Sequence, residues 1–182
     1  LVVAVLFTVR SCVNRVETDF LVALSGSVYM EDGTVLEKDI LQKLPELTAP
    51  QVQLLTVNPT DGEYNYAIQM KLMALLSAAE IDVILMDQDS FALMSSQGML
   101  QPLEEHAASL PFPQEAYVKG SVILEEPVDA EPVLGPETAF AVDITQSEFV
   151  AKNQILGEKI FAGIVINSKR MEKAFAFVSK ME

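Results

Sequence analysis

Three times within the first hundred residues, a short apolar run gives way to a stretch with helical spacing. The pattern begins with "DFLVALSGS" (19–27), a buried-strand texture closed by Ser-Gly-Ser, after which Gly33-Thr34 opens an amphipathic helix. The apolar side of that helix is read as Val35, Ile40, Leu41 and Leu44, and Pro45 stops it. "QVQLLTV" (51–57) is the next strand, ended by Asn58-Pro59, and Asp61-Gly62 turns the chain into a long helix from about Tyr64 to Ala79. The third strand, 81–86, is continuous in hydrophobicity, as a central parallel strand covered on both faces must be. Strand and helix alternating in this way define an α/β domain.

The long helix carries Ile68, Leu72, Leu75, Leu76 and Ala79 at helical spacing, with Ala67, Met70, Met73 and Ala74 beside them. So broad an apolar surface predicts cover on more than one side, with the methionines filling gaps in a core. Asp87 or Asp89 is placed to cap the helix after the third strand by accepting backbone N–H bonds. Gly98 is its natural C′ residue, and Pro102 prevents its resumption.

After His106 the texture changes. Residues 125–136 read as loop, 138–144 ("TAFAVDI") as a strand, and Thr145-Gln146-Ser147 as the start of another loop. Residues 158–166 ("EKIFAGIVI") form a last strand, and Asn167-Ser168 is expected to cap a final helix with Met171, Ala174, Phe175 and Val178 as its buried stripe.

At 182 residues the chain suits one domain, or one domain with a small lobe. A net charge of −14 argues against a nucleic-acid-binding role, which needs clustered Lys and Arg for phosphate contacts. The acidic residues are spread without long runs, as on a well-solvated surface.

Residues 1–9 ("LVVAVLFTV") are almost wholly apolar and end at Arg10. A membrane helix needs about 20 such residues. The run is therefore read as part of a longer hydrophobic segment, a signal anchor or the end of a signal peptide, with the alternative of a buried first strand. Residues 1–16 are assigned as this remnant plus a polar spacer, and 17–182 as the folded domain. Cys12 is the only cysteine, so no internal disulfide forms. It sits where a lipoprotein cysteine would, although Arg10 breaks the small, uncharged pattern expected before one.

Two longer stretches carry a family resemblance. They are "YAIQMKLMALLSAAEIDVILMDQDSFALMSSQGMLQPLEE" and "FAGIVINSKRMEKAFAFVSKM", taken with the first strand "FLVALSG". In order and texture they resemble the extracellular solute-binding proteins of bacterial transporters, of the type 2 periplasmic-binding fold. The resemblance implies a three-layer α/β domain with a mostly parallel sheet, held at the extracytoplasmic face of the cell membrane. It also implies a small polar solute and a membrane transporter as partners. Residues 107–157 suffice only for a reduced second lobe, or for loops draped on the first. The alternative is an interaction or structural domain of the cell envelope that has lost the ligand cleft.

Ligands of open α/β sheets bind at the carboxyl edge of the strands. Candidates there are Ser25, Gly26 and Ser27 after the first strand, Asp61 and Tyr64 after the second, and Asp87, Gln88 and Asp89 after the third. Thr145 and Gln146 join them from the second half. Hydroxyls, amides and helix N-termini meeting there suit a small polar or anionic ligand. The simpler reading, which the cap preferences favour, makes Asp87 and Asp89 plain caps and Ser25–Ser27 plain turn chemistry.

No cofactor is expected. One histidine and one cysteine cannot build a His/Cys metal cluster, and no twelve-residue calcium loop surrounds Asp87 and Asp89. A Gly-x-Ser-x-Gly elbow, a phosphate loop and a Gly-x-Gly-x-x-Gly turn are all absent from the sequence, which argues against an enzyme.

Overall fold

The computed structural model describes residues 18–58, 60–128 and 130–182. The apolar run 1–9, Cys12 and the spacer to residue 16 lie outside these. Among the described residues no helix is long and apolar enough to cross a membrane.

Six strands form one mixed sheet: β1 (Phe20–Gly26), β2 (Pro50–Thr56), β3 (Val83–Met86), β4 (Tyr117–Gly120), β7 (Thr138–Asp143) and β8 (Phe161–Ile164). Their spatial order is β2-β1-β3-β8-β7-β4. Strand β1 pairs in parallel with β2 and β3, but β3–β8, β8–β7 and β7–β4 are antiparallel. The expectation of a mostly parallel sheet is corrected here. Helical crossovers impose parallel pairing only in the first half, and β8 enters beside β3 in the opposite sense.

Helix α1 (Gly33–Lys43) links β1 to β2, α2 (Gly62–Ser77) links β2 to β3, and α3 (Gln88–Ser96) follows β3. The second half adds α4 (Glu148–Asn153) and α5 (Met171–Val178). A small separate ribbon of β5 (Ile123–Glu125) and β6 (Val133–Leu134) occupies part of 125–136, expected as loop. Strands of two or three residues are too short to leave a period in sequence.

Two cores fill the two sides of the sheet. Phe20, Val22 and Leu24 of β1 pack with Leu36 and Ile40 of α1 and Ala174 and Phe177 of α5. Leu21 and Ala23 point the other way, toward Leu76 of α2 and Phe91 and Met94 of α3. Val83 and Leu85 of β3 join the first core, and Ile84 and Met86 the second. Apolar residues on both faces of these strands explain their unbroken runs. Phe177 is met edge-on by Phe20 at 5.6 Å and by Phe149 at 5.8 Å, a favourable aromatic geometry.

Several local expectations are revised. In α1 Leu36 joins Ile40 on the inward side, and Leu41 is exposed. Asn167 and Ser168 do not cap α5: Asn167 donates to the carbonyl of Leu76, and Ser168 Oγ donates to Asp82 at 2.6 Å. The third strand begins at Val83, because Asp82 is a fully buried carboxylate with its own role. It accepts from the Leu21 N–H at 2.8 Å and from Arg170 Nη1 at 2.9 Å, while Arg170 Nη2 reaches the Thr18 carbonyl. This pair ties the start of β1, the start of β3 and the last turn before α5 into one knot.

The largest revision concerns α2. It is covered on one side only: Leu76 is buried and Ile68, Leu72 and Leu75 face the sheet, but Tyr66 and Met70 are 66% and 53% exposed. Apolar residues all round a helix predict two-sided cover, and here the second cover is missing among the described residues.

Candidate functional site

Strand register brings the ends of several strands to one edge. Gly26 lies opposite Thr56, Ser25 opposite Met86, Met86 opposite Phe161, and Phe161 opposite Asp143. The ends of β2, β1, β3 and β7 and the start of β8 thus form a single rim.

At the centre of this rim sits Asp87, the N-cap of α3. Its Oδ1 accepts from the Ser90 N–H at 2.9 Å, and its Oδ2 accepts from the Ser27 N–H at 2.7 Å and Ser27 Oγ at 2.8 Å. One carboxylate therefore closes a helix start and clamps it to the end of β1. Burial raises the proton affinity of this group, yet hydrogen bonds from Ser90 and Ser27 outweigh it and hold the pKa below the ordinary aspartate value. Gly26 makes the approach possible. Its φ of +73° suits glycine, and a Cβ there would lie 2.3 Å from Asp87 Oδ1.

The other candidates separate. Ser25 is buried and lines, with Gly26, Asn65, Leu72, Ser90 and Leu93, a hollow of about 200 Å³ between α2 and α3. Asp61 caps α2, accepting from the Tyr64 N–H at 2.9 Å, and the Tyr64 side chain is exposed. Gln88 and Asp89 stand exposed in the first turn of α3. Of the two aspartates weighed as caps, Asp87 is the cap.

Thr145 and Gln146 lie farther along the rim, in a larger hollow of about 770 Å³ between the ends of β7 and β8 and the segment before β4. Phe112 forms part of its apolar wall. Thr145 Oγ1 donates to Asp143 Oδ1 at 2.6 Å and accepts from the Ile160 N–H at 3.0 Å, so the hydroxyl is fixed by both strands. Five carboxylates, those of Glu115, Asp143, Glu148, Glu158 and Glu182, line this hollow against one ammonium, Lys159. Burial pushes the Asp143 pKa up, but hydrogen bonds from Thr145 and the nearby Lys159 outweigh it and hold the group ionised below its usual range.

Asp143 and Lys159 were not singled out from sequence. The signal for Asp143 was present, since Asp-Ile-Thr is an Asx-turn spacing in which a carboxylate takes the N–H two residues on. Nothing local marks Lys159, which meets Asp143 only across the β7–β8 pairing, at 3.4 Å. Among the described residues no group of three or more His, Cys, Asp or Glu is placed to hold a metal ion.

The fold and rim together define an α/β domain with a mixed six-stranded sheet flanked by helices, with an acidic hollow at one end of the sheet. Compared with known proteins, the chain matches no family model and no curated sequence.

Proposed function

We propose that this chain is a non-catalytic, solute-binding-like domain of the type 2 periplasmic-binding kind, anchored through its N-terminal segment at the extracytoplasmic face of a membrane. It captures a small polar solute and presents it to a membrane transporter. The observation that carries this is the hollow of about 770 Å³ on the carboxyl rim, with Thr145 and Gln146 in its wall. Its volume falls within the range of small-molecule sites. Five carboxylates against one ammonium favour a solute bearing positive charge.

A panel of amines, amino sugars, neutral sugars, amino acids and anions, read by thermal shift on the full chain, tests this. A solute at 100 times its Kd adds about 2.7 kcal/mol, or roughly 5–11 °C at about 2–4 °C per kcal/mol. The expected result is a shift with cationic solutes that Gln146→Ala diminishes. Flat curves throughout overturn the proposal.

One observation favours a second reading, an interaction domain of the cell envelope without a ligand. It is the bare apolar side of α2, on which Tyr66 and Met70 stand exposed.

A further inference from the structure

The outward stripe of α2 is apolar, nearly uncharged and complementary to its own reversed copy, and from this we propose that two copies of the chain pair through antiparallel α2 helices centred on Met70. The stripe runs from Glu63 to Ser77 at helical spacing, and every residue on it is exposed. On a chain of net charge −14, the whole helix carries one carboxylate, Glu63, and one ammonium, Lys71, which is held by Gln53 Oε1 at 2.7 Å. Like-charge repulsion penalises contact between two copies through acidic faces, and this face escapes it.

The order of side chains chooses the partner. With Met70 on a two-fold axis, Tyr66 of one helix falls opposite Ala74 of the other, and Met73 opposite Ala67. On either side of the axis each large side chain meets a small one, which lets two helices approach to about 8 Å. Met70 meets its own copy, a soft and adaptable contact. Glu63 falls opposite Ser77, whose hydroxyl can donate to it. Antiparallel alignment also sets each helix N-terminus beside the other's C-terminus. A foreign helix would need no such symmetry, whereas a two-fold contact between copies requires it. Leu93 and Ile166, both exposed beside the grooves flanking α2, extend the patch. A single helix pair lies at the small end of specific interfaces, so the dimer is expected to depend on concentration.

Disulfide trapping on the full chain, in membranes or in solution, reads the register directly. In a Cys12→Ser background, Met70→Cys is expected to give a covalent dimer on mild oxidation. Tyr66→Cys alone is expected not to, because its copies stand eight residues apart along the axis, about 12 Å, beyond the roughly 7 Å limit between Cα atoms of a disulfide. Tyr66→Cys with Ala74→Cys restores the link. Met70→Glu, an exposed change that leaves the fold intact, is expected to weaken association at least tenfold with an unchanged circular dichroism spectrum. Equal trapping by Met70→Cys and Tyr66→Cys overturns the proposal, as does a dimer that survives Met70→Glu. With Cys12 retained, an intramolecular link from Cys12 to Met70→Cys also overturns it, since the chain's own N-terminal segment would then cover the face.

Discussion

A single methyl group added at Gly26 tests whether the Asp87 clamp is the joint that closes the rim. Two costs are separable. The φ of +73° strains any L-residue by about 1–2 kcal/mol. The new Cβ would also stand 2.3–2.4 Å from the Asp87 carboxylate, which must swing away and release Ser27 and Ser90. Losing the cap costs about 0.5–2 kcal/mol, and the half-exposed bonds from Ser27 about 1 kcal/mol more. Asp87→Ala alone is therefore expected to cost about 1.5–3 kcal/mol, and Gly26→Ala about 2.5–5 kcal/mol. In the double variant the carboxylate is gone and the methyl has room. Adding Gly26→Ala to Asp87→Ala then costs only the backbone strain, about 1–2 kcal/mol. The coupling is about 2 kcal/mol, well outside the roughly 0.5 kcal/mol within which independent sites add. Urea unfolding of the four proteins, followed by circular dichroism, measures all the terms. Additive losses would refute the clamp, and so would a Gly26→Ala variant no weaker than its φ strain alone.

Three further outcomes are expected. Arg170→Met leaves Asp82 buried without its cation and should lose about 3–5 kcal/mol, while adding Asp82→Ala should recover part of this in the same denaturation assay; equal stability of Arg170→Met and the parent would mean that the knot does not hold the strand starts together. Asp19, Asp87 and Asp143 all have pKa values held below the ordinary 3.8 in the folded chain, so the stability they contribute is complete above that value and drains away as pH falls below it through the lowered values; in an acid titration, Asp87→Ala should show a shallower fall over that window than the parent, and parallel curves would contradict this. Ile84→Asp places an unpaired carboxylate in the middle of a fully buried strand, and soluble expression should fail, since a penalty of several kcal/mol consumes much of a total stability of about 5–15 kcal/mol.

What could be read from sequence was local. The first three strands and helices were legible because each declares itself within a dozen residues: an apolar run, a cap and a stop. Asp87 as a cap and Gly98, at φ +66°, as the terminator of α3 belong to this class. Strand β4, the ribbon and α4 were not legible, since each is six residues or fewer and defined by what it pairs with. Asp82 interrupted an apolar run without apparent reason, because its partner Arg170 stands 88 positions away. For α2, composition revealed that the surface was apolar but not which side the sheet would cover. At the rim, residue types marked where the strands end, but Asp61 and Asp87 turn out to be taken up as helix caps. The hollow beside Thr145 depends on β7 and β8 meeting, which no local pattern encodes.

The position of β8 sets an order of events during synthesis. Val83 pairs with Ile164, so one long edge of β3 stays open until the ribosome has delivered some eighty further residues. Until then the nascent chain holds β1, β2 and β3 with a bare apolar strand at their margin, the kind of edge that recruits other chains. A transcript cut short before Phe161 would release that species permanently. The parent chain completes this sheet only once Phe161–Ile164 has been made, so its yield in a cell should respond sharply to chaperones that hold nascent chains, and to the speed at which residues 87–164 are translated.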